Sequence, residues 1–359
     1  MRMPMGLAGR GVLCALTSLA LALPSAVAAP QQSPRVPFGQ RYGAVQHGGI
    51  VRAANSSITC RSVVGKGASS CEAARRGAGV NGAYEMSYVD VDNDPNTYNS
   101  SRARLRVPSG SRVSYARLYW GGNLRVGEQK PPEDNGRVLI AEPGGDYKEV
   151  LADSLIGHRT TRHTDGFQAS ADVTGLVRHS GSGYYTVAQV NVAMGKSKAG
   201  AWGGWTLVVA YENQREPLRH LAIWDGFESL TTGRKSFSID LGGMSIPPKA
   251  SGSVGVVAYN GDRGTGNDVL TVNADGRKAV RLRDAANPVN DVMNSTIADH
   301  GRNATGRQPA YENTLGYDSD VFDIKPALKA GGSRLHFRFG TRDEGYQTGA
   351  LFVQADARH

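Results

Sequence analysis

From Trp205 to Tyr211 the chain runs Trp-Thr-Leu-Val-Val-Ala-Tyr without a charge, directly after Gly203-Gly204. An extended backbone sends Trp205, Leu207, Val209 and Tyr211 to one face and Thr206, Val208 and Ala210 to the other. Both sets are apolar enough to need cover. The stretch therefore predicts a central strand inside a sandwich, not an edge washed by solvent. Glu212-Asn213-Gln214 marks its end.

Strand signals dominate from Gly82 onward. Ala103, Leu105 and Val107 alternate with Arg104 and Arg106, and Arg112 to Trp120 follows after a Pro-Ser-Gly turn. Val138-Leu139-Ile140 and Tyr147 to Leu151 flank Pro143-Gly144-Gly145-Asp146, which reads as a hairpin. The second half repeats this order. Leu118-Tyr119-Trp120-Gly121-Gly122 corresponds to Val257-Ala258-Tyr259-Asn260-Gly261, and the hairpin around Gly144 to one around Asp275-Gly276. Asp172 to Val177 corresponds to Asp323 to Leu328, and Gly204 to Ala210 to Gly349 to Ala355. The fold expected is all-β: two tandem jelly-roll-like β-sandwich modules, over 81–213 and 228–359, joined by a connecting strand at 214–227. Residues 29–80 are rich in Gly, Ala, Ser, Gln and Arg and read as an extended N-terminal arm with a disulfide loop. The one substantial helix expected lies near Asn290 to Ala298, with shorter helical turns at Glu72–Arg76 and after Asp172.

Residues 1–28 carry the features of a signal peptide: Arg2 and Arg10, an apolar run from Val12 to Leu23, and Ala26-Val27-Ala28 as a cleavage site. That run is too short to span a bilayer. Cleavage after Ala28 predicts a secreted, extracellular protein without membrane insertion, and removes Cys14. Cys60 and Cys71 then remain, and an even pair in an exported chain predicts one disulfide. Loss of Arg2 and Arg10 takes the formal charge from +9 to +7. The cations are spread along the chain without long runs. This suits anionic cell-surface polymers but gives no specific nucleic-acid signature.

Several stretches carry a resemblance. They are Tyr84-Glu85-Met86-Ser87-Tyr88-Val89-Asp90-Val91-Asp92, Leu118 to Gly122, Gly204 to Tyr211, and Trp224-Asp225-Gly226-Phe227. Gly255 to Tyr259 with Gly261-Asp262, and Leu315-Gly316-Tyr317-Asp318, complete the set. Together they resemble a secreted actinobacterial β-rich domain family of unknown function, found alone or at the N-terminus of large surface proteins with Ig-like repeats. The resemblance covers about residues 82–356. It implies an exported, surface-associated protein and carries over no catalytic residue.

Few motifs carry chemistry. Asp90, Asp92 and Asp94, in Asp-Val-Asp-Asn-Asp-Pro-Asn, place carboxylates at alternate positions and are the first choice for calcium, the one cofactor expected. An Asx-rich turn is the plainer reading of the same residues. Asp318, Asp320 and Asp323 form a second acidic group. Trp120 and Trp202 stand beside glycines at strand ends, where an aromatic can stack on a sugar; Trp205 and Trp224 read as core. His158 and His163 with Asp153 and Asp165 form a loose polar cluster. No Gly-x-Ser-x-Gly elbow or His-Glu-x-x-His is present, and Gly261 to Gly266 opens no helix that could hold a phosphate.

These readings favour a non-catalytic secreted module that binds a cell-wall or extracellular polysaccharide, or a surface protein partner. A polysaccharide hydrolase using an Asp/Glu pair such as Glu85 and Asp225 is the alternative. A self-associating coat component is a third.

Overall fold

The computed structural model describes residues 30–264, 266–342 and 345–358. The signal segment, with Cys14 and the expected cleavage point, lies outside them. The fold is all-β. A twelve-stranded sheet forms the middle of the molecule, with a five-stranded and a four-stranded sheet against it.

The strand Gly203–Glu212 sits inside the large sheet, between Arg112–Asn123 and Val36–Ser56. Its two faces enter two different cores. Trp205, Leu207 and Val209 pack with Leu105, Leu118, Val138 and Val187 beneath the five-stranded sheet. Val208 packs with Tyr119, Ile223, Val257, Tyr259, Tyr317 and Phe352. Beside it, Thr206 Oγ1 lies 2.7 Å from Tyr317 Oη and donates to Ser319 Oγ at 3.0 Å. The second face of the strand is thus covered by the other half of the same large sheet. A third core, with Val254, Val256, Leu270, Phe337, Phe339, Leu351 and Val353, lies under the four-stranded sheet.

Close approach of the two halves requires glycine. A Cβ on Gly204 would stand 2.6 Å from the Asn55 carbonyl oxygen and 2.8 Å from the Tyr317 ring.

The internal repeat is present in the pairing. In the first half Arg112–Asn123 lies between Asp165–Asp172 and Gly203–Glu212. In the second, Gly252–Tyr259 lies between Tyr317–Asp323 and Gln347–Asp356. In the covering sheets, Gly183–Ala188 lies between Ser100–Leu105 and Arg137–Ala141, as Leu335–Gly340 lies between Ser236–Leu241 and Val269–Ala274. Each half also has a short helix introduced by an aspartate. Asp172 accepts from the Thr174 N–H at 2.8 Å ahead of Thr174–Ser180, and Asp323 from the Lys325 N–H at 2.7 Å at the start of Lys325–Leu328.

Two expectations fail. The first is the arm. Residues Val36–Ser56 form a 21-residue strand in the middle of the large sheet. Its residues from Gly48 to Ser56 pair with Gly203–Glu212, and those from Val36 to His47 with Leu218–Ser229. Gly48, at φ +142°, stands where the strand passes from one partner to the other, and a Cβ there would meet the Tyr211 carbonyl oxygen at 2.0 Å. Its composition hides it: a Cβ on Gly49 would stand 2.8 Å from Gln354 Oε1 and from Tyr211 Oη, and Ala53 and Ala54 fill buried positions with small side chains, so no alternation of large residues betrays the strand. The second is the helix at Asn290 to Ala298, which is an irregular buried loop. Thr296 Oγ1 donates to Asp320 at 3.0 Å and the Ala298 N–H to Asp320 Oδ1 at 2.7 Å. Side chains from distant positions satisfy this backbone in place of a helical ladder.

Candidate binding cleft

A cleft of ≈ 480 Å³ opens where both halves contribute residues. The C-terminal end of the Val36–Ser56 strand supplies its floor, Ser100–Leu105 one wall, and the segment 299–307 the other. Five arginines line it: Arg52, Arg104, Arg106, Arg302 and Arg307. Asp299 is its one carboxylate, with His300 beside it.

The arginines stand at two levels. Arg104, Arg106 and Arg302 are exposed at the rim, and none is ion-paired among the described residues. Arg52 and Arg307 are buried. Arg52, its side chain 4% exposed, pairs with Asp299 at 3.1 Å and donates to the Ala298 carbonyl at 2.8 Å, while its Nε has no partner. Arg307 donates to the Ala304 carbonyl at 2.8 Å, to Asn303 Oδ1 at 2.8 Å, to Asn55 Oδ1 at 3.2 Å, and to the carbonyls of Pro309 and Tyr311. All these acceptors are neutral. Burial lowers the Arg307 pKa to about 9, and nearby Arg52 pushes the same way, against Asp320. These bonds use the N–H groups of Arg307, so it adds positive charge beneath the opening without a free donor.

The sequence-predicted candidates lie elsewhere. Cys60 and Cys71 form the expected disulfide. It ties the strand Ile58–Val63 to the helix Cys71–Arg75. Asp90, Asp92 and Asp94 form a hydrogen-bonded turn. Asp90 accepts from Ser100 Oγ at 2.7 Å, Asp92 from the Asp94 N–H at 2.9 Å and from Thr97, and Asp94 from the Asn96 N–H at 2.9 Å. Tyr147 also donates to Asp92. These are the contacts of an Asx-rich turn. Among the described residues no group of three or more His, Cys, Asp or Glu gathers on one point.

Trp120 and Trp202 are fully buried and offer no face to a sugar. Trp120 donates to the Asn135 carbonyl at 2.8 Å within the first core, and Trp202 packs on Tyr259. Each lies between sheets, so the neighbouring glycines admit packing partners instead of presenting the rings. Trp224, expected in the core, is half-buried and lines a second groove of ≈ 350 Å³ with Val45, His220 and Met244. The loose polar cluster divides: His158 binds Asp165 at 2.8 Å, Asp153 binds Arg117, and His163 is exposed. Of the hydrolase pair, Glu85 accepts from Ser62 at 2.7 Å, while Asp225 is ion-paired with Arg41 at 2.8 Å and accepts from Tyr119. Asp318 and Asp320 are buried, and Asp323 opens its helical turn.

Sequence reading missed the cleft because its arginines occur at 52, 104, 106, 302 and 307. No local run marks them. The alternation of Arg104 and Arg106 on a half-buried strand was the one signal available.

Fold and cleft together define an all-β double sandwich with a shared middle sheet and a guanidinium-lined opening. The chain belongs to the family described as "Protein of unknown function (DUF3344)", which matches residues 78–353. No curated protein matches it. Among solved structures, quercetin 2,3-dioxygenase from Acinetobacter baumannii aligns over 92% of this chain and 88% of that one, at 9% identity and a TM-score of 0.21, a likeness too slight to carry any argument. No helix among the described residues is long and apolar enough to cross a membrane.

Proposed function

We propose that the protein is exported and acts as a non-catalytic binding module for an anionic cell-surface or extracellular polysaccharide, held in the arginine cleft. One observation carries this reading: five arginines face one opening that contains a single carboxylate, itself occupied by Arg52. The rim arginines attract and orient an anionic chain. Of the buried pair, Arg307 contributes positive field only, since its N–H groups are taken up by protein acceptors. Arg52, whose Nε has no partner, takes an oxygen of a phosphate, sulfate or carboxylate group in a charge-assisted hydrogen bond worth about 1.5–3 kcal/mol. The disulfide and the signal-like first 28 residues fit an oxidising, extracellular setting. A glycosidase would need two carboxylates across the cleft, and Asp299 has no second carboxylate opposite it among the lining residues.

The test is co-sedimentation of the chain from Ala29 onward with insoluble cell wall, with wall stripped of its anionic polymers, and with chitin, cellulose and β-glucan. The expected result is pelleting with intact wall only, without sugar release, and at least about a tenfold loss of affinity (about 1.4 kcal/mol) in Arg104→Glu/Arg302→Glu. Equal binding of stripped wall or of neutral glucan by that variant would sink the proposal and direct attention to the Trp224 groove. Released sugar would establish a hydrolase instead.

A further inference from the structure

We propose that Asp268 and Asp291, neither of which lines the arginine cleft, form a buried divalent-cation site of the calcium type, separate from the turn at Asp90–Asp94. The two residues are bridge partners on parallel neighbouring segments, so their side chains leave the same face side by side. Each carboxylate has one oxygen engaged and one free. Asp268 Oδ2 accepts from the Met293 N–H at 2.6 Å and Asp291 Oδ2 from the Gly264 N–H at 2.8 Å. Asp268 Oδ1 and Asp291 Oδ1 are buried without any hydrogen-bond partner among the described residues. Asp268 is fully buried and Asp291 is 7% exposed.

The two carboxylates are near enough to repel each other, and each keeps a buried oxygen without a partner. Such a pair is costly unless a cation stands between them. Asp262 is close enough to feel Asp291, while its own Oδ1 accepts from the Asn81 N–H at 2.9 Å. Arg263 also reaches Asp291, yet its guanidinium donates to the carbonyls of Asn294 and Glu312, so it leaves the free oxygens unoccupied. Burial raises the pKa of Asp262 and Asp268 to about 6, in each case with Asp291 adding to the effect. Oxygen-only donors suit calcium rather than zinc or copper. Two carboxylates with main-chain carbonyls of the surrounding loops and water can complete its shell of six to eight.

The experiment is calcium titration of the chelator-treated full chain, read by calorimetry for affinity and stoichiometry and by thermal unfolding. Expected are one bound calcium per chain, a rise in unfolding temperature with calcium, and weaker binding of magnesium. Asp268→Asn and Asp291→Asn should each weaken calcium binding at least tenfold, and Asp92→Asn should leave it unchanged. Should one variant fail to fold, the other and the wild-type stoichiometry still decide the matter. No calcium bound by the wild-type chain, with unfolding unmoved, would overturn the site. So would binding lost in Asp92→Asn and kept in Asp268→Asn, which would place the ion in the turn.

Discussion

At the residue scale, this molecule offsets the cost of buried charge in two ways. Where opposite charges meet, the pair is closed. Glu228, its side chain 4% exposed, is held by Arg35 at 2.9 Å and by Arg234. Burial alone would raise its pKa, but Arg234 and Arg35 together hold it below the ordinary glutamate range. A folded-state pKa depressed in this way contributes stability above the unfolded value of about 4.3, and loses it as pH falls through the folded value. Glu228→Gln should therefore lower stability at pH 7 and flatten the acid limb of a urea-unfolding series taken from pH 7 to 3. An acid limb identical to wild type would contradict this. Where no carboxylate makes a direct pair, as at Arg307, neutral carbonyls and amides take up the guanidinium N–H groups and solvate the cation. Sequence shows which residues can be charged, but pairing depends on which strands become neighbours. Nothing local distinguishes Arg35, which closes on Glu228, from Arg302, which stays open.

At the scale of elements, the strand Gly203–Glu212 was legible from seven residues because both its faces are apolar, and only a two-sided cover satisfies both. The paired hairpins and the aspartate-led helical turns were equally legible, since turn chemistry is local. The strand Val36–Ser56 was not. Its stability comes from main-chain pairing on both sides and from the fit of small residues under neighbouring rings, and neither leaves a periodic pattern. The segment that follows it is tied down covalently. The Cys60–Cys71 bridge closes a loop over a sequence separation of 11, which the chain-entropy account values at about 2–3 kcal/mol. Cys60→Ala/Cys71→Ala should lower unfolding stability in urea by that amount with little change in slope. A loss below about 0.5 kcal/mol would mean that the pairing of Ile58–Val63 with Tyr84–Tyr88 suffices alone.

For the whole molecule, the two sandwich halves fold as one body because they share a sheet and a core. The Val36–Ser56 strand joins them: it is the neighbour of Gly203–Glu212 in one half and of Leu218–Ser229 in the other. A chain beginning at residue 58 should fail to fold, leaving both flanking strands with open edges. Loss of the cooperative unfolding transition, followed by circular dichroism, would show this; a retained sharp transition would return those residues to the status of an arm. Sequence by itself determined the all-β class, the central strand, the repeated order of elements and the disulfide. Each of these rests on hydrophobic pattern, turn chemistry or residue count within a short span. Tertiary structure alone decided the centrality of Val36–Ser56, the burial of Trp120 and Trp202, the gathering of five arginines, and the facing of Asp268 and Asp291. Those depend on contacts between residues as far apart in the chain as Arg52 and Arg307, and folding brings such residues together through packing that no local pattern encodes.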